Sequence, residues 1–400
     1  MKFEFKRKVL KSGMTLLFEK RKLPVVSVAF AVRNGGINEK PSEKGISHFI
    51  EHMLYKGTPT RNSQKIAEEI EKNGGGLNGV TDEFLTAYFC KMPSKHINLA
   101  LDVLSDMVKN PLFNEVELEK ERKVIFEEIK MNHDLPMRYV LEEIQKALYN
   151  GALGINLAGN YKTLRKMNRE ILVERFNQTY TPSQMILVVV GDTDFNKILD
   201  FAESSFKNKK GKISPQKFEL KNEVKIEKRK GLDQANLAFA YHVPLATNKL
   251  SYAAHVLSVL MGGGMSSRLF SEIREKRNLA YVIHSGSEIN KFFAYNFVYA
   301  GTTSENVEII KKLILEEFQK VSKSLTEKEL RAVKEQIIGN YHLAMEDSQN
   351  QMMNLLSCEI NGDSRNFYKF EKNISEVKLE DVKKLAKIKK YSFFALVPED

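Results

Sequence analysis

Two seven-residue segments 209 positions apart, Val26–Val32 (VSVAFAV) and Ala235–Tyr241 (ANLAFAY), share an Ala-Phe-Ala core flanked by apolar residues. Each is strand-like, and each is followed by a polar loop and then an apolar helical pattern, about Ser42–Lys56 in the first half and Leu250–Met261 in the second. Identity between the halves is weak, but the order of elements persists through further strands and two or three long helices. Such a repeat restricts the fold, because both copies must close by the same rules. The reading is α+β: two homologous domains, each a mainly antiparallel sheet with helices packed on one face. Their expected limits are 1–212 and 213–400, with the basic Gly- and Pro-containing stretch Lys207–Lys221 as the linker.

Composition narrows the function classes. With 42% hydrophobic and 28% charged residues, the 400-residue chain reads as globular and not disordered. Lys+Arg 62 against Asp+Glu 51 leaves +11. That surplus is spread along the chain, its densest run being Lys207–Lys212, and no aromatic-basic cluster accompanies it, so no nucleic-acid partner is expected. Cys90 and Cys358 are far apart in sequence and form no CxxC, so both read as buried thiols. MKFEFKRKVLKSG lacks the apolar core of a signal peptide, and no 18 apolar residues run together. The expectation is a cytoplasmic protein with no membrane partner.

On the first helix, Ile46, Phe49, Ile50, Met53 and Leu54 form one apolar stripe, while His48, Glu51, His52 and Tyr55 fall on the opposite side. Imidazoles four residues apart on a helix can converge on one ion, since their Cβ atoms are ~6 Å apart and Zn–N bonds are ~2 Å. Glu51 points to the side, where it can hold a water at the metal and take its proton. The order is H-x-x-E-H. The bland alternative is a coincidental polar face. A candidate third ligand lies in Glu119–Met131 (EKERKVIFEEIKM), where Glu121 and Glu128 are two turns apart and border Leu118, Ile125 and Ile129. Periodicity alone does not choose Glu128 over Glu127.

Gly45–Thr58 (GISHFIEHMLYKGT) resembles the active-site segment of the pitrilysin, insulin-degrading enzyme and mitochondrial processing peptidase family, and Glu119–Met131 resembles that family's second signature. Gly75–Tyr88, Leu153–Gly159, Tyr180–Gly191 and Gly262–Tyr281 match in order and spacing, so the likeness covers nearly the whole chain, as in the short bacterial-type branch of about 400 residues. The resemblance implies one zinc per chain held by His48, His52 and Glu128, with Glu51 as general base and Glu121 orienting a ligand. It implies that Asn78, with Gly79 after it, touches substrate on an edge strand, although Asn-Gly is also a plain turn signal. It implies that Arg274 and Tyr281 bind substrate carbonyls and stabilise the oxyanion.

The remaining histidines (His96, His133, His242, His255, His284 and His342) lack a partner at ligand spacing, so the second domain should bind no metal. Gly262–Ser267 lacks the Lys-Ser/Thr ending of a phosphate loop. In the family a chamber is enclosed by four such domains, and this chain supplies two. The expectation is therefore a homodimeric zinc endopeptidase acting on peptides or unfolded segments, its sites completed in trans by Arg274 and Tyr281. A dedicated processing protease for one peptide precursor and a non-catalytic scaffold are the alternatives.

Overall fold

The computed structural model describes residues 4–211 and 213–399. Lys212, at the expected domain boundary, lies outside the described residues.

The chain forms two compact units. One comprises 1–129, 151–217 and 344–367, the other 130–150, 218–343 and 368–400. The expected single division at 212/213 therefore gives way to an interleaved one, in which each half of the sequence lends a helix-bearing segment to the other unit. The stretch before Phe218 does carry the chain from the first unit to the second.

The first unit is built on a six-stranded sheet. Its strands are β1 (Phe5–Val9), β2 (Thr15–Lys20), β3 (Val25–Val32), β4 (Gly76–Thr81), β5 (Thr86–Pro93) and β6 (Met185–Gly191), in the order β1-β2-β6-β3-β5-β4. Only the β2–β6 pair is parallel. The second unit is built on a five-stranded sheet of β7 (Val224–Arg229), β8 (Ala235–His242), β9 (Ala280–Ile289), β10 (Ala294–Thr302) and β11 (Ser392–Pro398). Their order is β9-β10-β8-β11-β7, and only β11–β7 is parallel. Read from the other edge, β7-β11-β8-β10-β9 repeats β2-β6-β3-β5-β4 strand for strand. The duplication seen in sequence is thus a duplication of topology.

Side chains alternate across a strand, and this explains the shared Ala-Phe-Ala. In β3, Val26, Val28, Phe30 and Val32 enter the core of the first unit beneath helices α1 (Ile46–Leu54) and α2 (Ile97–Lys109). In β8, Leu237, Phe239 and Tyr241 enter the core of the second. The alternate residues, Ala29 and Ala31 or Ala238 and Ala240, are small and fully buried on the other face.

That other face is not bare either. In the first unit it carries α7 (Ser348–Ile360), where the Ser27 and Ser348 hydroxyls are 2.9 Å apart and the Gln351 side-chain amide donates to Glu19 at 2.6 Å. The buried Glu359 of α7 takes Arg7 at 2.8 Å and Arg33 at 3.0 Å, so its charge is compensated twice. In the second unit the other face carries α4 (Pro136–Leu148), whose Ala147 carbonyl accepts from Ser392 and whose Tyr139 packs edge-on against Phe394. Alanine on the strand lets each helix approach closely. Further helices include α3 (Glu115–Asp134), α5 (Leu250–Gly262) and α6 (Val307–Ser324).

Cys90 is buried, Cys358 is half-buried, both are free thiols, and burial pushes each up to about 12. No helix among the described residues is long and apolar enough to cross a membrane.

Candidate metal centre

The helix that carries His48 and His52 begins later than its sequence pattern implies. Pro41–Glu43 form a 3-10 turn, and α1 starts after Gly45, whose φ of +98° and close approach to the Ala158 carbonyl exclude a side chain. Gly45 offers no capping side chain. The buried Glu39 caps the helix instead, accepting from the backbone N–H of Gly45 at 3.0 Å and of Ser47 at 2.7 Å. Next to it the fully buried Lys44 donates to the carbonyls of Gly36 and Ala152 and pairs with Glu83. These bonds fix the entry of α1. Its Ile46, Phe49, Ile50, Met53 and Leu54 are buried, and His48, Glu51, His52 and Tyr55 stand on the partly open side.

Helix α3 runs alongside, anchored by Arg122, which donates to the Leu164 and Met167 carbonyls and stacks its guanidinium over Phe49. Leu118 and Ile125 enter the core, which turns Glu121 and Glu128 toward α1. Glu127 is exposed. The choice left open by periodicity is made by geometry: Glu128 Oε2 is 3.6 Å from His48 Nε2 and 3.4 Å from His52 Nε2. Among the described residues His48, His52 and Glu128 are the one group that could hold a metal, with candidate donor atoms all within 4.8 Å of one another.

The donor set fits zinc. Ligands ~2.0–2.1 Å from a tetrahedral ion stand ~3.3–3.4 Å apart, close to the two spacings found. They are long for direct hydrogen bonds. Burial opposes a charged His52, but Glu121 and Glu128 outweigh it and raise His52 to about 9. Burial and the neighbouring His52 together lower His48 to about 4. His52 holds Glu128 below the usual carboxylate range, against burial.

Glu121 Oε2 lies 2.9 Å from His52 Nδ1 and Glu121 Oε1 lies 2.7 Å from Lys56 Nζ. Glu51 accepts from the Thr81 hydroxyl, and burial pushes its carboxyl up. Gly79 faces it: a Cβ there would lie 2.9 Å from Glu51 Oε1 and 2.6 Å from the buried Tyr55 hydroxyl. Asn78 is exposed on β4, the edge strand, and its side chain accepts from the Gly79 N–H. No local sequence pattern marks Thr81 or Glu39. Lys56 offers a usable signal, since it follows His52 by four residues, just past the end of the helix.

In the second unit, Arg274 sits in a π-helical turn (Phe270–Glu275), a distortion frequent at functional sites. Its guanidinium lies over the rings of Phe270 and Tyr281, at 4.8 and 5.4 Å from their centroids. The structure thus brings Arg274 and Tyr281 together beside a cavity of ≈ 250 Å³, with Tyr281 74% exposed. The helix corresponding to α1 is α5, which has only His255, packed near Phe370.

A model of the insulinase (M16) peptidase family matches residues 15–160, and a model described as the peptidase M16 inactive domain matches residues 166–337. An uncharacterized zinc protease of Bacillus subtilis is 33% identical over 352 residues, covering 87% of this chain and 86% of that one. One from Mycobacterium tuberculosis strain H37Rv is 29% identical over 397 residues, covering 96% and 90%. Among solved structures, a protease from Helicobacter pylori superposes with a TM-score of 0.92 at 21% identity, covering 99% of this chain and 100% of that one. A putative M16-like peptidase from Alicyclobacillus acidocaldarius gives 0.89 at 18%, covering 100% and 99%. Fold and site define a two-unit, pitrilysin-like chain with a histidine–histidine–glutamate group that could hold a metal. The chain belongs to the M16 peptidase family, in its short form.

Proposed function

We infer that the protein is a zinc-dependent endopeptidase that hydrolyses peptides or unfolded segments, with one zinc per chain held by His48, His52 and Glu128. The observation that carries this reading is the placement of Glu51, an acid that burial pushes up, on the same helix face as the two histidines and beside the edge strand β4. Bound there, zinc supplies Lewis-acid polarisation and a water of lowered pKa. Glu51 takes the water proton and returns it to the leaving amine, a role suited to a carboxyl with a raised pKa. Thr81 fixes one oxygen of Glu51, and the missing side chain at Gly79 keeps the space in front of it open. The free edge of β4 offers backbone groups to an extended peptide, and Asn78 stands where it can contact that peptide.

Arg274 and Tyr281 contact substrate carbonyls and the developing oxyanion. The exposure of Tyr281, and a guanidinium held by rings instead of a carboxylate, support that role. The chain works as a homodimer in which these two residues serve the zinc of the partner subunit.

The test is hydrolysis of a quenched fluorescent peptide library, with bound zinc assayed. Glu51→Gln should retain about one zinc per chain and lose ~10²–10⁴-fold in turnover. A wild type that binds no zinc would overturn the assignment, whereas one that binds zinc and cleaves nothing in the library would point to a narrow processing role. Mixing Glu51→Gln with Arg274→Ala chains should restore activity. No recovery after proven subunit exchange would overturn the trans arrangement.

A further inference from the structure

We propose that Lys56 is a positioning residue for the metal centre, acting through Glu121 to hold the His52 imidazole in its ligating tautomer and orientation; this rests on the zinc reading above. Three groups form a chain of contacts. The Lys56 ammonium is 2.7 Å from one oxygen of Glu121, and the other oxygen of Glu121 is 2.9 Å from His52 Nδ1. His52 Nε2, on the far side of the ring, is 3.4 Å from Glu128.

The chemistry of a buried carboxylate makes the lysine necessary. Glu121 is only 6% exposed, so water does little to solvate its charge. With a single partner such a group turns or takes up a proton, because an uncompensated buried charge is costly. With one partner on each oxygen, its plane is fixed. The oxygen facing His52 then accepts the Nδ1 proton, and the Nε2 lone pair is left toward Glu128 and the metal position. Carboxylate partners of this kind set tautomer and ring orientation in metal sites. The lysine is placed by the turn that closes the helix. It lies two residues beyond Leu54, the last residue of α1, and follows Tyr55, whose backbone keeps a helical conformation. Its backbone N–H donates to the Met53 carbonyl, so its stem emerges from a hydrogen-bonded turn.

The experiment is the rate of zinc release to excess chromogenic chelator, measured on the whole protein. Lys56→Met and Lys56→Gln should each lose zinc ~10–100-fold faster than wild type, the range seen when a ligand's outer partner is removed. Lys56→Arg, which keeps a cation and a donor, should stay within about threefold of wild type. In a Glu121→Gln background, Lys56→Met should add less than about twofold, because the lysine acts through that carboxylate. Metal-free Lys56→Met should keep its unfolding temperature within a few degrees, which separates positioning from support of the fold. Release rates unchanged in both Lys56→Met and Lys56→Gln would overturn the proposal while leaving the peptidase reading intact. An undiminished Lys56→Met effect on Glu121→Gln would overturn it as well. A wild type without zinc would overturn both.

Discussion

The two units run the same strand order, and the helix after the Ala-Phe-Ala strand differs between them in one respect. Helix α1 carries His48, Glu51 and His52 on a partly open side, whereas α5 buries Ser251, Ala253, Ala254, Val256, Leu257, Ser258, Leu260 and Met261 and keeps one half-buried histidine, His255. Burial alone lowers the His255 pKa. In the first unit burial acts on His52 in the same direction, and Glu121 and Glu128 reverse it. The second unit shows that this architecture closes without a polar stripe. The stripe on α1 is therefore no requirement of folding, and its two histidines and their acids are half-buried or buried without the strand order demanding it.

The sharpest way to break the comparison is to remove a histidine from each helix. His52→Ala and His48→Ala should each lower bound zinc from about one per chain to under a tenth after dialysis, since a three-residue site does not survive with two ligands. His255→Ala should leave zinc unchanged. Elemental analysis of the dialysed proteins reads both, and zinc lost on removal of His255 would break the contrast.

A pair of glycines sharpens it next. Gly79 and Gly286 lie on the corresponding edge strands β4 and β9, and a Cβ at either would clash, but with different neighbours. At Gly79 it meets Glu51 and Tyr55, at Gly286 the ring of Phe297. Gly79→Ala should therefore cut turnover ~10²-fold by displacing the base while zinc is kept. Gly286→Ala should cost ~1–3 kcal/mol of stability by overpacking, leaving zinc binding as it is. Peptidase assays and denaturant midpoints on both variants separate the two outcomes.

Much of this division is legible in the amino-acid sequence because it is written in local periodicity. The repeat, the H-x-x-E-H face and the solitary His255 all depend on residues within one or two turns of each other. The far side of each sheet is not legible in this way. Ala29, Ala31, Ala238 and Ala240 read only as apolar, yet each pair seats a helix drawn from the opposite half of the chain. Amphipathic patterning shows that Pro136–Leu148 and Ser348–Ile360 need a partner surface, and says nothing of which sheet supplies it. The same limit separates Glu128 from Glu127, since both fit a helix edge and only the packing of Leu118 and Ile125 turns one toward the histidines. Ala31→Leu and Ala240→Leu test the seating directly. Each should cost ~1–3 kcal/mol through overpacking, read as a lowered denaturant midpoint, and a neutral result at either would mean that its helix is not closely held.

The smallest expected effect concerns the loops that leave the two helices. After α1, Thr58 and Thr60 donate to Asp106 at 2.6 and 2.8 Å, and Arg61 joins them at 2.9 Å. After α5, the Gly263 carbonyl accepts from the Gln336 amide at 2.7 Å and its N–H donates to the Val259 carbonyl, with no carboxylate among these partners. Burial alone would raise the Asp106 carboxyl, but Asn110, Thr58, Thr60 and Arg61 bring it down to about 2. A carboxyl depressed in the folded state contributes stability that is fully present above its unfolded pKa, ~3.9, and is lost as pH falls through the folded value. The first unit's loop should thus loosen between about pH 4 and 2. Because the group is partly solvated, the loss should be ~1 kcal/mol or less. Amide hydrogen exchange over Gly57–Asn62, compared with Gly262–Ser266 across that range, checks it. Asp106→Asn should remove the acid dependence of the first loop and leave the second as it was, whereas equal acid responses in the two loops would show that Asp106 does not set the difference.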